Sequence, residues 1–216
     1  HRQQIPLIED DYASELTLDD VPAIAPLRAL DGEVIYLGTY SKKLSPGLRI
    51  GYLLVPKALY PRLTTLKHAI DLGTSPLLQL ALAEFLERGY LRPHLRATWA
   101  EYRRRRDALE MALRKALPPN VKWRSPQTGV QIWLPLSNGI DPEALFLQAQ
   151  QEGVSVNPGT INVVHSIDKP GLRLTFCAEP PDRLAEGARR LGRAFAALAK
   201  RDVGSGSHNK LKFDAV

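Results

Sequence analysis

The first part of the chain alternates short apolar runs with stretches whose apolar residues recur at helical spacing. Runs rich in β-branched and aromatic residues predict strands at 5–9, 34–38 and 50–55. Helical patterns follow at 56–70, which opens with a proline, and at 74–90. Because strands and helices alternate, the pattern predicts an α/β fold with a mainly parallel sheet that is buried between helices.

The helix predicted at 74–90 has clear signals at both ends. Thr74 or Ser75 can cap its start, and Pro76 suits its first turn. Gly89 suits its end. Apolar residues surround most of its circumference, so we expect this helix to be largely buried.

A long helix is predicted at about 94–117, and it carries four consecutive arginines at 103–106. These arginines could form a patch that binds phosphate or nucleic acid. Alternatively, they belong to the solvated face of an amphipathic helix, with ion pairs such as Glu101–Arg105. We favour the second interpretation because helical spacing distributes consecutive residues around the axis.

The pattern changes after residue 120, where short strands accompany helices at 142–152 and 183–200. This mixture predicts a smaller α+β domain. The predicted organisation is an α/β part at 1–92, a connecting helix at 93–117, the small domain at 118–203 and a flexible tail at 204–216.

The composition excludes several classes of protein. A net charge of +6 over 216 residues would assist binding of phosphates or acidic ligands without indicating nucleic-acid binding. No apolar run approaches the ~20 residues of a membrane-spanning helix, and the start lacks signal-peptide architecture. The single cysteine, Cys177, rules out an internal disulfide and a cysteine-based metal cluster. We expect a cytoplasmic protein with no metal site and no membrane contact.

The first residues of the chain also bear on whether it is part of a longer protein. His1 is not preceded by Met, and an apolar strand is predicted only a few residues later. A buried parallel strand needs neighbours on both sides and helices on both faces. We therefore expect that the chain is part of a longer protein.

Two adjacent lysines occur in "GTYSKKLSPGLRIGY", residues 38–52. Lys42 follows the strand predicted at 34–38, beyond its carboxyl end, where open α/β sheets bind ligands. We expect this place to be partly desolvated, which makes a lysine amine a usable nucleophile for a Schiff base with an aldehyde. An ordinary surface loop is the alternative for this lysine taken alone.

Polar residues around the lysine suit an aldehyde that carries a phosphate. Thr39 and Ser41 offer hydroxyl donors, and Arg49 offers a guanidinium fork that matches a phosphate. Gly47 is expected to allow a sharp turn between them.

Pyridoxal 5'-phosphate is such an aldehyde, and it also needs a carboxylate that keeps its ring nitrogen protonated. The run "LIEDDY" supplies Glu9, Asp10 and Asp11 at the carboxyl end of strand 5–9, and Tyr12 could hydrogen-bond the ring's phenolic oxygen. Taken alone, the acidic run is more typical of a turn or a helix cap. Together with the lysine after the next strand, it favours a shared site.

The stretches "IEDDY…SE" and "IYLGTYSKKLSPGLRIGYLLVP" resemble the fold-type I pyridoxal-phosphate enzymes of the class I and II aminotransferase superfamily. The resemblance is closest to the aminotransferase-like domains of MocR/GabR-type transcription regulators of the GntR family. It covers about residues 5–200. It implies that the chain holds the C-terminal half of the family's large domain, followed by the small α+β domain.

The resemblance also implies roles for individual residues. The family pattern Ser-Lys-x-Leu-x-Pro-Gly-x-Arg-x-Gly places the cofactor lysine first, which assigns the Schiff base to Lys42 and makes Lys43 an exposed neighbour. Arg49 then corresponds to the phosphate-binding arginine. Asp10 corresponds to the partner of the pyridine nitrogen, and Tyr12 to the partner of the ring oxygen.

Further along, "GLRLTFC" resembles the small-domain strand that presents an arginine to the substrate α-carboxylate, which implies Arg173. The alternative is a charged strand residue that faces water, and the flanking Leu172 and Leu174 favour the binding role. Other parts of the family pattern have no match here. These are the phosphate-cradling loop, the aromatic residue stacked on the ring, an Asn near the ring oxygen and the winged-helix DNA-binding domain of the regulators.

Three functions follow as hypotheses. The first is a regulator domain that binds pyridoxal phosphate and senses an amino acid, acts as a homodimer, and meets DNA only through a domain outside this chain. The second is a working aminotransferase that moves an amino group between an amino acid and a 2-oxo acid. The third is an interaction fragment without a cofactor. The "EDDY…SE" pattern favours the regulator domain. The sequence identifies neither the amino acid nor the 2-oxo acid.

Overall fold

The computed structural model describes residues 5–13, 15–19, 22, 24–136, 139–162 and 171–205, except for the side chains of 161, 162 and 200–205. The chain divides into two compact units. The first comprises residues 1–100 with 127–129, and the second comprises residues 101–126 with 130–216. The predicted segment boundaries stay predictions, and most of the predicted tail lies outside the described residues.

The first unit contains a three-stranded sheet in the order β1-β2-β3. The strands are β1 (Ile8–Asp11), β2 (Ile35–Thr39) and β3 (Gly51–Leu54). β1 is parallel to β2, and β3 is antiparallel to β2. β1 begins at Ile8 rather than at Ile5, and Ile8 is 67% exposed, so the first strand is not buried within the described chain. Among the described residues β1 pairs only with β2, so it is an edge strand with one open side.

Gly38 allows Tyr52 to lie across the middle of this sheet. The two residues are level in the β2–β3 pair, so position 38 and the Tyr52 side chain share one face. A Cβ on residue 38 would overlap the Tyr52 ring. The ring instead lies against Tyr36 and Tyr40, with centroid distances of 6.2 and 5.8 Å. Tyrosines therefore occupy one face of the sheet.

A four-residue helix, α1 (Leu27–Leu30), precedes β2, and two longer helices follow β3. Helix α2 (Tyr60–Asp71) begins after a 3-10 turn at Lys57–Leu59. Its start falls later than predicted because Pro61 lies in its first turn, where a proline costs no backbone hydrogen bond. The early proline thus marks the start of the helix.

Helix α3 (Pro76–Glu87) confirms the predicted start but not the predicted burial. Ser75 Oγ accepts a hydrogen bond from the backbone N–H of Leu78, and Pro76 is the first residue. Leu82 is buried, whereas Leu77 is 76% exposed. An all-round apolar helix needs neighbours on every side. Within the described part of the chain, α3 lacks neighbours on part of its circumference.

Helix α4 (Leu91–Ala116) runs from the first unit into the second, which also contains α5 (Pro142–Gln151) and α6 (Pro181–Ser205). The sheet of the second unit has the order β4-β6-β5, with antiparallel pairs throughout. The strands are β4 (Gln131–Pro135), β5 (Asn157–Pro158) and β6 (Gly171–Thr175). The second unit has an apolar core, whose buried side chains include Leu113, Ile132, Leu134, Leu145, Leu172, Phe176 and Leu191.

Arginines of the consecutive run in α4 form hydrogen bonds and ion pairs within the second unit. Arg104 and Arg105 both pair with Glu101, and Arg105 also donates to the backbone oxygen of Cys177. Arg106 is buried, and it donates to Asp107 and to the Pro126 oxygen at 2.9 Å. The expected solvated face therefore holds for Arg104 but not for Arg106. Among the described residues no helix is both long and apolar enough to cross a membrane.

Candidate functional site

The carboxyl ends of β1 and β2 meet at one edge of the first sheet. Asp10 is level with Leu37 in this parallel pair, so the two side chains share a face. Thr39 lies two residues beyond Leu37 and therefore belongs to the same face. This is the face opposite the tyrosine cluster. The register thus brings Asp10 and Thr39 to one edge and one face.

The three neighbouring acids have different partners. Glu9 accepts hydrogen bonds from the backbone N–H groups of Leu27 and Arg28, at 2.9 and 3.1 Å, and so caps the short helix α1. The helix-cap interpretation is therefore correct for Glu9. Asp11 accepts a hydrogen bond from the Tyr36 hydroxyl at 2.6 Å.

The third acid, Asp10, is exposed and forms no hydrogen bond or ion pair with the described residues. Its carboxylate is therefore available to a ligand. Tyr36 is kept protonated as a donor to Asp11, because burial and the hydrogen bond to that carboxylate both raise its pKa. Asp11 is thus engaged in a hydrogen bond within the protein.

The lysine pair lies in a single turn after β2. The backbone N–H of Leu44 donates to the Tyr40 oxygen at 2.8 Å and closes the turn. Lys42 points into solvent, which contradicts the expected partial desolvation. Lys43 is only 3% exposed and pairs with Glu15 at 3.1 Å, so the expectation of an exposed neighbour is wrong. Adjacent residues in a helical turn point about 100° apart, which lets one lysine face inward and the other outward.

The two hydroxyl groups beside the lysines are linked to each other. Thr39 Oγ1 lies 3.0 Å from Ser41 Oγ and accepts from the Ser41 backbone N–H at 3.1 Å. Thr39 Oγ1 also lies 3.3 Å from the Ile50 backbone oxygen. These contacts place both hydroxyls together immediately before Lys42.

Arg49 follows a 3-10 turn at Pro46–Leu48, which Ser45 caps by accepting from the Gly47 N–H at 3.2 Å. Its backbone is left-handed, with φ 52° and ψ 36°. For a residue with a Cβ this conformation costs about 1–2 kcal/mol. The sharp reversal expected at Gly47 therefore occurs at Arg49, whose side chain is exposed. The backbone of the loop is thus strained at Arg49, the residue whose guanidinium group is exposed.

Tyr12 lies in the bend directly after β1 and is about half exposed. It follows Asp10 by two residues, at the same end of the strand. The structure therefore places all the residues predicted to bind the cofactor around the β1–β2 end of the first unit.

Arg173 is in the second unit, at the middle of β6. It is level with Trp133 on β4 and Asn157 on β5, on the face of the sheet opposite the buried Leu172 and Leu174. Its side chain is half-buried and forms no hydrogen bond or ion pair among the described residues. A cavity of about 630 Å³ in this unit is lined in part by Arg173. The Arg173 guanidinium group is thus unpaired among the described residues.

Residues 6–191 match the family described as aminotransferase class I and II. The chain belongs to this family. It is 36% identical over 187 residues to aromatic-amino-acid aminotransferase 1 of Thermococcus litoralis, covering 86% of this chain and 45% of the relative. It is 33% identical over 194 residues to the probable rhizopine catabolism regulatory protein MocR of Rhizobium meliloti, covering 89% and 39%. The chain spans less than half the length of these curated relatives.

The crystal structure of LysN, the α-aminoadipate aminotransferase of Thermus thermophilus, superposes on this aminotransferase-family chain with a TM-score of 0.84. The two are 32% identical, and the match covers 93% of this chain and 52% of LysN. That enzyme is complexed with N-(5'-phosphopyridoxyl)-L-leucine. The superfamily resemblance and the α/β fold class are therefore confirmed.

Two features of this aminotransferase-family chain were not predicted from its sequence. The ion pair between Glu15 and Lys43 joins distant parts of the sequence, although both residues lie in the quoted motifs. Asn157 is level with Arg173, and its Oδ1 is buried without a hydrogen-bond partner among the described residues. The sequence around it, "VSVNPG", predicted a short strand and indicated no role for Asn157. Among the described residues no group of His, Cys, Asp and Glu is suited to a metal ion.

Proposed function

We propose that this chain is the cofactor-binding, aminotransferase-like part of a MocR/GabR-type transcription regulator, which senses an amino acid through pyridoxal 5'-phosphate. One observation carries the proposal. Lys42 is exposed after the end of β2. On the adjacent strand, Glu9 and Asp11 have hydrogen-bond partners, whereas Asp10 has none within the described chain.

The residues present fit this cofactor, and the family match confirms the expectation of pyridoxal phosphate. When bound, the cofactor supplies an electron-withdrawing ring that makes the bonds at an amino acid's Cα labile. Lys42 would hold it covalently through its amine. The Asp10 carboxylate would keep the ring nitrogen protonated, because a nearby negative charge favours the charged form of a base. Tyr12 would hydrogen-bond the ring oxygen.

The phosphate would lie among the hydroxyl and guanidinium groups of the same loop. Thr39 and Ser41 are already linked by hydrogen bonds, so little rotational freedom is lost when they bind. Arg49 can donate two parallel hydrogen bonds, which a lysine cannot reproduce. In the second unit, Arg173 would bind the α-carboxylate of an amino acid or a 2-oxo acid through the same kind of fork.

For the whole protein we propose a cytoplasmic homodimer that meets DNA only through a domain outside this chain. Similarity to regulators supports this, including 36% identity over 177 residues to the uncharacterized HTH-type transcriptional regulator YisV of Bacillus subtilis. A working aminotransferase is the second candidate, because the Thermococcus litoralis aminotransferase is equally similar in identity. An interaction fragment without a cofactor is the third candidate, and the match to the aminotransferase family, whose cofactor is pyridoxal phosphate, speaks against it.

The attachment site is tested by borohydride reduction of the full-length protein with pyridoxal phosphate, followed by peptide mapping. Label is expected on Lys42 and is expected to disappear in Lys42→Ala. Lys57→Ala, which removes another exposed lysine, serves as the control and should change nothing. Label on Lys43 in the wild type, or on neither lysine of the pair, would contradict the proposal.

The regulator and the enzyme are distinguished by the fate of an added amino acid. The loaded full-length protein is mixed with a panel of amino acids, and absorbance, 2-oxo acid release and DNA affinity are measured. A regulator should show a spectral change and altered DNA affinity without sustained release of 2-oxo acid. Sustained turnover without any effect on DNA would favour the aminotransferase.

A further inference from the structure

The two adjacent lysines of the turn after β2 differ in what surrounds them. Lys43 is 3% exposed, and its Nζ lies 3.1 Å from Glu15 Oε2. Lys42 is exposed and has no described ion-pair partner. A buried ammonium group is costly unless it is paired, so Glu15 makes the inward position of Lys43 tolerable.

The backbone of the buried lysine is held as well. His94 Nε2 on α4 lies 2.9 Å from the Lys43 backbone oxygen. The His94 ring is itself held, since it packs edge-on against Phe85 with a centroid distance of 6.4 Å. The turn is therefore tied on two sides, by Glu15 to the side chain of Lys43 and by His94 to its carbonyl group.

This arrangement decides which of the two amines can be reached. Either lysine amine could condense with an aldehyde, forming a C=N bond and releasing the aldehyde oxygen as water. Their chemistry is the same, so access makes the difference. Neighbours in a helical turn point about 100° apart, so with Lys43 fixed inward Lys42 projects in another direction, and the structure shows it exposed.

We propose that Glu15 and His94 are positioning residues that sequester Lys43, so that only Lys42 is available to the cofactor. This inference rests on the proposed function for the role of Lys42. The sequestering of Lys43 itself does not depend on the cofactor and can be measured without it.

The first experiment uses the cofactor-free, full-length protein and trace amounts of acetic anhydride, with mass spectrometry of the modified peptides. In the wild type, Lys42 should be acetylated on the order of tenfold faster than Lys43, because a buried, paired amine reacts poorly. Glu15→Gln should bring this ratio close to one. Glu33→Gln, which changes an exposed glutamate of the same unit, should leave the ratio unchanged.

Glu15→Asp provides a conservative rescue. It keeps the negative charge at a shorter reach and should restore most of the difference between the lysines, which a merely steric role of Glu15 would not predict. The inference is overturned if the lysines react equally in the wild type, or if Glu15→Gln leaves their ratio unchanged. Glu15→Ala, which also removes the carboxylate, supplies the same comparison if Glu15→Gln does not fold.

The second experiment adds pyridoxal phosphate and borohydride. In Lys42→Ala, Lys43 should remain unlabelled, whereas Lys42→Ala combined with Glu15→Gln should expose Lys43 to labelling. Labelling of Lys43 in Lys42→Ala alone would refute the inference. If the wild type shows the expected acetylation ratio but no label at Lys42, the proposed function fails while the sequestering of Lys43 stands.

Discussion

In the second unit, Ile132 and Leu172 are fully buried, whereas in the first unit Ile8 and Leu53 expose 67% and 51% of their surface. The second sheet faces helices with one side and builds its own apolar core. The first sheet leaves apolar residues and charged groups open at its edge. Substitutions in the second sheet should therefore act mainly on stability, and substitutions at the open edge of the first should act mainly on binding.

The largest expected effect is on the core of the second unit. Phe176 is completely buried, so Phe176→Ala should lower the free energy of unfolding by about 3–5 kcal/mol, through lost contacts and the cavity it leaves. Leu53→Ala in the first sheet should cost about 1 kcal/mol or less, since half of that side chain is already exposed. Urea unfolding of the full-length protein measures both. A loss at Leu53 as large as that at Phe176 would break the contrast between the sheets.

The next effect concerns Arg173, the proposed ligand-binding residue in the sheet of the second unit. Arg173→Ala removes a charge-assisted pair of about 1.5–3 kcal/mol, so amino-acid binding should weaken by roughly ten- to a hundredfold. Cofactor affinity and stability should change little, because Arg173 has no described partner within the protein. Calorimetric titration with an amino acid and with pyridoxal phosphate tests this. An equal loss of both affinities would indicate a structural role.

Asp10 and Asp11 give a comparison within the first sheet. Asp10→Asn should slow exchange of an amino acid's Cα hydrogen for deuterium by about tenfold or more, while Lys42 still labels. Asp11→Asn should leave exchange almost unchanged and lower stability by about 1 kcal/mol, since it weakens the hydrogen bond from the buried Tyr36. Proton NMR follows the exchange. The reverse pattern would show that the wrong carboxylate was chosen.

Local signals predicted much of the fold. The start of α3 at Pro76 and the positions of β2 and β3 depend on neighbouring residues in the sequence, and they were found nearly where expected. Burial was not predictable in the same way. The apolar pattern of α3 indicates that its surface prefers to be covered, but it does not identify what covers it. Leu77 was expected to be buried, but it is exposed in the structure.

The site shows the same division between local and distant information. The lysine motif placed Thr39, Ser41 and Lys42 together at the end of one strand, because these residues are close in sequence. It could not reveal that Lys43 is buried, since its partner Glu15 comes from a distant segment. The left-handed backbone at Arg49 was also unpredictable, because glycine is the usual residue there and Gly47 was the obvious choice.

The smallest expected effect concerns the arginine run of α4. Glu101 pairs with Arg104 and Arg105, and hydrogen bonds from both lower its pKa to about 2. A carboxyl group with a lowered pKa stabilises the fold above its ordinary pKa, and this contribution is lost as the pH falls toward the lowered value. Glu101→Gln should therefore lower Tm slightly at neutral pH, and the difference from the wild type should narrow as the pH approaches 2. Solvent reaches and partly screens both pairs, so the shift should be far smaller than that of Phe176→Ala. Glu87→Gln on α3, whose side chain has no described ion pair, is the control and should change Tm at neither pH. Thermal unfolding by circular dichroism across this pH range measures the difference, and one that persists undiminished near pH 2 would show that Glu101 acts through packing rather than charge.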